Sequence, residues 1–140
     1  MIKFMTGRLF VDTAGWMSMA DKNDKLNKEC IRTRDKWLEK GNLLVTTDYV
    51  IDETLTLIRM RIGIDGADKW WSQVSGSPRL KVEWIHFERF EKACRYFFKW
   101  RDKSFSFTDC TSFVVMKELK LKRALTGDKH FIEAEFEILP

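Results

Sequence analysis

Leu9-Phe10-Val11-Asp12 is the stretch on which the fold turns: three apolar residues, too few for a helix, closed by a carboxylate. A run of this kind predicts a short buried strand with an acidic residue at its carboxyl end. The punctuation recurs along the chain. Glu53 stands downstream of Leu43-Leu44-Val45, Asp109 follows Phe105-Ser106-Phe107, and Asp128 follows Ala124-Leu125-Thr126. In an open α/β sheet the carboxyl ends of parallel strands share one edge, and ligands bind in the crevice there. Four acids distant in sequence would then converge. Converging carboxylates repel one another unless a hard divalent cation, Mg²⁺ or Mn²⁺, offsets their charge. The pattern leads to metal-dependent phosphoryl chemistry.

Working outward, the residues from Thr13 to Asn23 read as a loop, and Asp24 to Lys40 as an amphipathic helix with Leu26, Cys30, Trp37 and Leu38 on its apolar side. Gly41-Asn42 stops it, and Leu43 to Thr47 is the second strand. Asp48 to Ile62 carries Ile51, Thr54, Leu55, Ile58 and Ile62 at helical spacing, with Gly63 as its end. A further helix runs from about Asp65 to Val74, before Ser75-Gly76-Ser77-Pro78 breaks the chain. Leu80 to His86 alternates like a half-buried strand. Phe87 to Arg101 is predicted helical, with Phe87, Phe90, Cys94, Phe97 and Phe98 on one apolar side. Thr108 is the expected N-cap of a helix from Asp109 to Lys122. Arg123 to Thr126 and Glu135 to Leu139 supply the last strands. Strands alternating with helices predict a three-layer α/β/α sandwich around a mainly parallel sheet.

At 140 residues the chain is expected to form one domain spanning 1–140. Lys and Arg number 25 against 21 Asp and Glu, for +4, and removing the four proposed site acids from that count leaves the rest at +8. An acidic island in a basic surface suits a polyanion, whose phosphates bind the basic groups while cations bridge to the carboxylates. The three cysteines are odd in number and widely spaced, which points to neither a zinc knuckle nor a disulfide framework and fits a reducing compartment. With no signal-like segment and no apolar run approaching the length of a span, a cytoplasmic protein is expected. Met5 offers a second start, so the order of residues 1–8 is left open.

The chain resembles the PIN-domain nucleases, and among them the small VapC-like toxin ribonucleases of toxin–antitoxin pairs. The resemblance spans nearly the whole sequence and is carried by Phe10-Val11-Asp12-Thr13, Asp52-Glu53-Thr54-Leu55, Thr108-Asp109-Cys110-Thr111-Ser112-Phe113 and Leu125-Thr126-Gly127-Asp128-Lys129-His130-Phe131. It implies that Asp12, Glu53, Asp109 and Asp128 form the catalytic metal site, with Thr13 or Thr126 as a polar neighbour. Ala14-Gly15 and Gly127 depart modestly from the family's pattern and leave all four acids intact. One or two Mg²⁺ or Mn²⁺ ions would activate a water against an RNA phosphodiester and offset charge on the leaving oxygen; two ions would sit about 3.5–4 Å apart. Asp109, at the start of a helix, would be kept ionised by the helix dipole. The implied partners are an RNA substrate, a small antitoxin that would cover apolar surface and push a basic side chain into the acidic site, and a second copy in a homodimer.

Rival readings remain at this point. A haloacid-dehalogenase-like phosphatase using Asp12 as nucleophile would want an aspartate two positions later, where Ala14 stands. A module that binds RNA or protein without cleaving would have no need for four repelling acids, and a processing or decay nuclease without a toxin role also fits. Of single residues, Asp52 reads as a solvated charge, His86 and His130 as structural or surface residues, and Cys110 as a buried thiol rather than a nucleophile. In Arg95 to Arg101, bases and aromatics interleave as in single-stranded nucleic-acid platforms, but helical spacing favours a core role for Phe97 and Phe98. Lys117, Lys120, Lys122 and Arg123 read as a solvated helix end, and of the adjacent Trp70 and Trp71 one should be exposed.

Overall fold

The computed structural model describes residues 7–140, so the question of the start at Met5 lies outside the described residues. Five strands form one sheet in the order β3-β2-β1-β4-β5, with every pair parallel. They are β1 (Arg8–Val11), β2 (Leu43–Thr47), β3 (Leu80–Glu83), β4 (Arg123–Leu125) and β5 (Glu137–Leu139). Among the described residues seven helices fill the connections and flank the sheet: α1 (Thr13–Ala20), α2 (Asn27–Glu39), α3 (Asp48–Arg61), α4 (Ile64–Ser75), α5 (Phe87–Lys99), α6 (Phe107–Glu118) and α7 (His130–Glu133). None of the described helices is long and apolar enough to cross a membrane. The expected α/β/α sandwich with a parallel sheet is therefore what the chain adopts.

Strand order places the functional edge. The chain winds from β1 through β2 to β3 in one direction, then returns to lay β4 on the other side of β1, pairing Phe10 with Ala124 and Val11 with Leu125. Connections leaving β1 and β4 diverge to opposite sides, which opens a crevice at their carboxyl ends. The strands beneath it are covered on both faces, hence their continuous rather than alternating apolar character: Leu9, Phe10, Val11, Val45, Ala124 and Leu125 are all fully buried. A polar tie runs through this core. Thr46 Oγ1 donates to the Val11 carbonyl at 2.9 Å and accepts from Trp16 Nε1 at 3.2 Å, so β1, β2 and the helix after β1 are joined just below the crevice.

Several boundaries differ from those read in the sequence. The segment Thr13 to Asn23 is not a loop, since α1 occupies its first eight residues. Thr13, Gly15, Trp16, Met17 and Ser18 are all buried, and a helix enclosed on most sides shows no apolar stripe to reveal it. The N-cap of α6 is Ser106 and not Thr108, and the helix ends at Glu118 because Lys120 takes a positive φ of 58°. Consequently only Lys117 of the basic run is helical; Lys120 and Lys122 follow the helix, and Arg123 opens β4 with its guanidinium 5.5 Å from the Trp37 ring centroid. β3 stops at Glu83, leaving Trp84 57% exposed, and α7 interrupts the approach to β5. The aromatic side of α5 faces outward. Phe97 and Phe98 are 37% and 66% exposed instead of core, and Ala93 is the buried residue of that helix. Trp70 is buried and Trp71 exposed, as two adjacent indoles on a helix require.

Gly15 is where α1 presses hardest on the sheet. A Cβ there would stand 2.1 Å from the Leu125 carbonyl oxygen, an approach that backbone cannot relieve cheaply, whereas a Cβ at Gly76 meets nothing within 4 Å. Gly15→Ala should therefore destabilise the fold by about 1–3 kcal/mol or prevent folding, while Gly76→Ala should stay within about 0.5 kcal/mol of the parent. Urea denaturation of the two variants checks this, and equal midpoints would refute the close approach.

Candidate active site

Asp12 leaves the end of β1 as the N-cap of α1, its Oδ1 accepting from the Gly15 N–H at 3.0 Å. A short polar side chain just before a helix satisfies an otherwise orphaned donor, which is the local reason an aspartate suits this position. Glu53 lies on α3, whose start is fixed twice: Thr47 accepts from the Val50 N–H at 3.1 Å, and Asp48 accepts from the Ile85 N–H at 2.8 Å. Asp109 is the third residue of α6 and closes a reciprocal capping box with Ser106, at 2.9 Å and 3.1 Å. Asp128 follows β4 in a tight polar turn. Its N–H donates to Thr126 Oγ1 and its Oδ1 accepts from the His130 N–H, both at 2.9 Å.

These four acids line one open cavity of about 510 Å³, together with Thr13, Ser112, Lys25 and Arg61. Asp109 and Asp128 come closest: with His130 they offer ligand atoms within 4.8 Å of one another. Asp12 and Glu53 border the same cavity without joining that tight group. Thr13 lines the cavity, and Thr126 is buried behind it as the acceptor for Asp128. Asp52 is exposed, as expected of a solvated charge, and His86 is exposed at the head of α5. Cys110 is buried, and burial pushes its thiol up to about 12, which removes it as a nucleophile.

Burial dominates the electrostatics. Asp12 is only 5% exposed, and loss of hydration pushes its carboxyl up to about 7; bonds from the Gly15 N–H and the Thr126 hydroxyl pull down, while Asp128 and Asp109 push up further. Asp109 is also raised, by burial first, with the Ser106 N–H and His130 opposing and Asp128 reinforcing. Burial thus works against the ionisation that the helix start favours at Asp109, while the Ser106 N–H and His130 support it.

The donor set fits a hard divalent cation. Carboxylates from four separate segments of the chain line one cavity, and the hydroxyls of Thr13 and Ser112 on its wall are buried with no hydrogen-bond partner among the described residues, oxygens that water or a hydrated cation would satisfy. Such an ion would also relieve the repulsion that raises Asp12 and Asp109. His130, read from the sequence as a structural or surface residue, stands beside two of the acids. Its Nδ1 lies 3.1 Å from Asp109 Oδ2 and 3.4 Å from Asp128 Oδ1. The only available signal was its position two residues after Asp128, a spacing at which an aspartate readily caps the backbone it precedes.

Comparison with known proteins places this arrangement. Residues 9–137 match the family model of the PIN domain. The 23S rRNA-specific endonuclease VapC20 of Mycobacterium tuberculosis, from strains CDC 1551 / Oshkosh and H37Rv, is 29% identical over 133 residues, covering 94% of this chain and 98% of the relative. The crystal structure of M. tuberculosis VapC20, described as a Sarcin-Ricin loop cleaving toxin, superposes with a TM-score of 0.85 at 28% identity, covering 94% of this chain and 99% of that one.

A pH dependence follows from Asp12. Its proton is held more tightly in the folded chain than in the unfolded one, where the carboxyl has its usual value near 3.8. Folding therefore takes up a proton between those limits, and the stability of chelator-treated protein should fall as pH rises from about 4 to about 7. Mg²⁺ should restore stability at pH 8 and do little at pH 5, where protons compete for Asp12. Urea midpoints at both pH values, with EDTA or Mg²⁺, measure this; Asp12→Asn should flatten the EDTA slope, and an unchanged slope in that variant would contradict the assignment.

Proposed function

The chain belongs to the PIN-domain family, and on that footing we propose that it is a divalent-metal-dependent endoribonuclease of the VapC-like toxin class, with Asp12, Glu53, Asp109 and Asp128 as its catalytic acids. The observation that carries the reading is the convergence of these four carboxylates on one cavity at the β1/β4 edge. They would hold Mg²⁺ or Mn²⁺, as one ion or two, which supplies charge compensation and water activation when bound. The residues themselves bind and orient. Thr126 fixes the turn that presents Asp128, the Gly15 N–H fixes Asp12, and the unpartnered Thr13 hydroxyl is free to direct a water. Lys25 and Arg61, exposed beside the acids, are placed to take phosphates flanking the scissile bond.

The partners proposed with this activity are RNA, an antitoxin that covers apolar surface and directs a basic side chain into the acidic cavity, and a second copy of the chain. The outward aromatic side of α5, with Phe87 73% and Phe98 66% exposed, supports a dimer contact. A cytoplasmic location belongs to the same reading. The resemblance to VapC20 directs the first substrate to try, a stem-loop of the 23S rRNA sarcin-ricin sequence, beside unstructured RNA.

Cleavage of both RNAs should require Mg²⁺ or Mn²⁺ and disappear in EDTA. Asp109→Asn keeps an acceptor for the Ser106 cap but loses the charge, and should cut more than about 100-fold more slowly, beyond the usual cost of losing even an outer-shell partner. Metal-independent cutting, or full activity in that variant, would refute the mechanism.

A further inference from the structure

Ser104, His130 and Asp109 form a linked chain of which only Asp109 belongs to the four-acid site. The His130 Nδ1 meets Asp109 Oδ2 at 3.1 Å, and on the other side of the ring Nε2 meets Ser104 Oγ at 3.1 Å. An ionised carboxylate only accepts, so the ring nitrogen facing it carries the proton, and a neutral ring then accepts from the serine hydroxyl through Nε2. The ring is further held by the edge of Phe105, with centroids 5.7 Å apart and planes at 85°. Its backbone is tied to Asp128 through the 2.9 Å N–H bond, and the next residue, Phe131, is fully buried. These anchors fix the imidazole more firmly than a surface histidine needs.

His130 does not line the cavity bounded by the four acids. Its nearer carboxylate contact, at 3.1 Å against 3.4 Å to Asp128 Oδ1, is with Oδ2 of Asp109, the oxygen that also accepts from the Ser106 N–H, which leaves Asp109 Oδ1 without a protein donor among the described residues. A single bond from Ser106 would leave the carboxylate soft about its last torsion, and repulsion from Asp128 would turn it. A second donor on the same oxygen removes that freedom. Histidine and carboxylate thus stand in the relation of outer-shell partner to ligand.

We propose that His130 is a positioning residue of the acidic site: its Nδ1–H sets the Asp109 carboxylate and leaves Oδ1 available for a cation, while Ser104 holds the ring from the far side. This rests on the metal-site reading of the four acids, but its test does not need RNA. Mn²⁺ affinity is measured by electron paramagnetic resonance for the parent, His130→Phe, His130→Asn and Ser104→Ala, with a urea midpoint for each. His130→Phe should bind Mn²⁺ about 10–100-fold more weakly. His130→Asn, whose amide can place a donor where Nδ1 stood, should recover most of that loss, and Ser104→Ala should lose a smaller part in the same direction. In the metal-free parent at pH 8, ¹⁵N shifts should show Nδ1 protonated.

Equal Mn²⁺ affinity in parent and His130→Phe would overturn the proposal, as would an Nδ1 without a proton, or a direct nitrogen coupling from His130 to bound Mn²⁺. Should His130→Phe fail to fold, Ser104→Ala decides, and unchanged affinity there counts against it. A parent that binds Mn²⁺ with this pattern yet cuts no RNA would defeat the nuclease reading and leave the role of His130 standing.

Discussion

Placing a carboxylate out of water at the end of the central strand is the constraint on which the rest of this structure depends. Asp12 is almost wholly enclosed, and an isolated charge there would be costly. The fold offsets the cost locally by beginning a helix at the same residue, so that the Gly15 N–H points at the carboxylate. That bond forms only if α1 sits tight against the end of the sheet, which forbids a side chain at Gly15 because the Leu125 carbonyl occupies the space. An acid at one position and a glycine three residues later are therefore one decision.

The other three acids extend the same arrangement. Each is set by a device that would exist in any well-made α/β protein: a cap at α6, a polar turn after β4, and an N-cap that fixes α3. None of these is specific to chemistry. What makes the site is the return of β4 to the flank of β1, which collects locally ordinary caps around one cavity and sets their charges against each other. Burial is the first cause of the raised Asp12 and Asp109, and the nearby Asp128 adds to it in both.

Strands and acids were legible from sequence because both obey short-range rules: a buried parallel strand is an apolar run, and an acid at its end is visible at once. α1 was not, since a helix surrounded by protein has no polar side to set a period, and Gly15 and Ser18 read as loop residues. For α5 the period was plain, yet it says only that one side is apolar, not that this chain's own core covers it. Phe97 and Phe98 show the difference. Thr108 reads as the cap because it directly precedes the acid, whereas the reciprocal bond with Asp109 comes from the serine three residues before it. His130 escaped for a different reason. Its partner Asp109 is 21 residues away, and only the folded chain brings them together.

The hydrogen bonds that hold the three aspartates share a property. Asp12 gives Oδ1 to Gly15, Asp109 gives Oδ2 to Ser106, and Asp128 gives Oδ1 to the backbone of His130. In each case the backbone claims one oxygen and leaves its twin. A cation arriving here therefore meets three aspartates that each have one oxygen already engaged by the backbone, and Glu53 alone of the four acids has neither oxygen so held among the described residues. A large ion that gathers six to eight oxygens by chelating carboxylates pairwise finds fewer free pairs here, whereas a small six-coordinate ion that keeps much of its own water needs fewer. The backbone, by rationing oxygens, screens ions by their appetite for ligands.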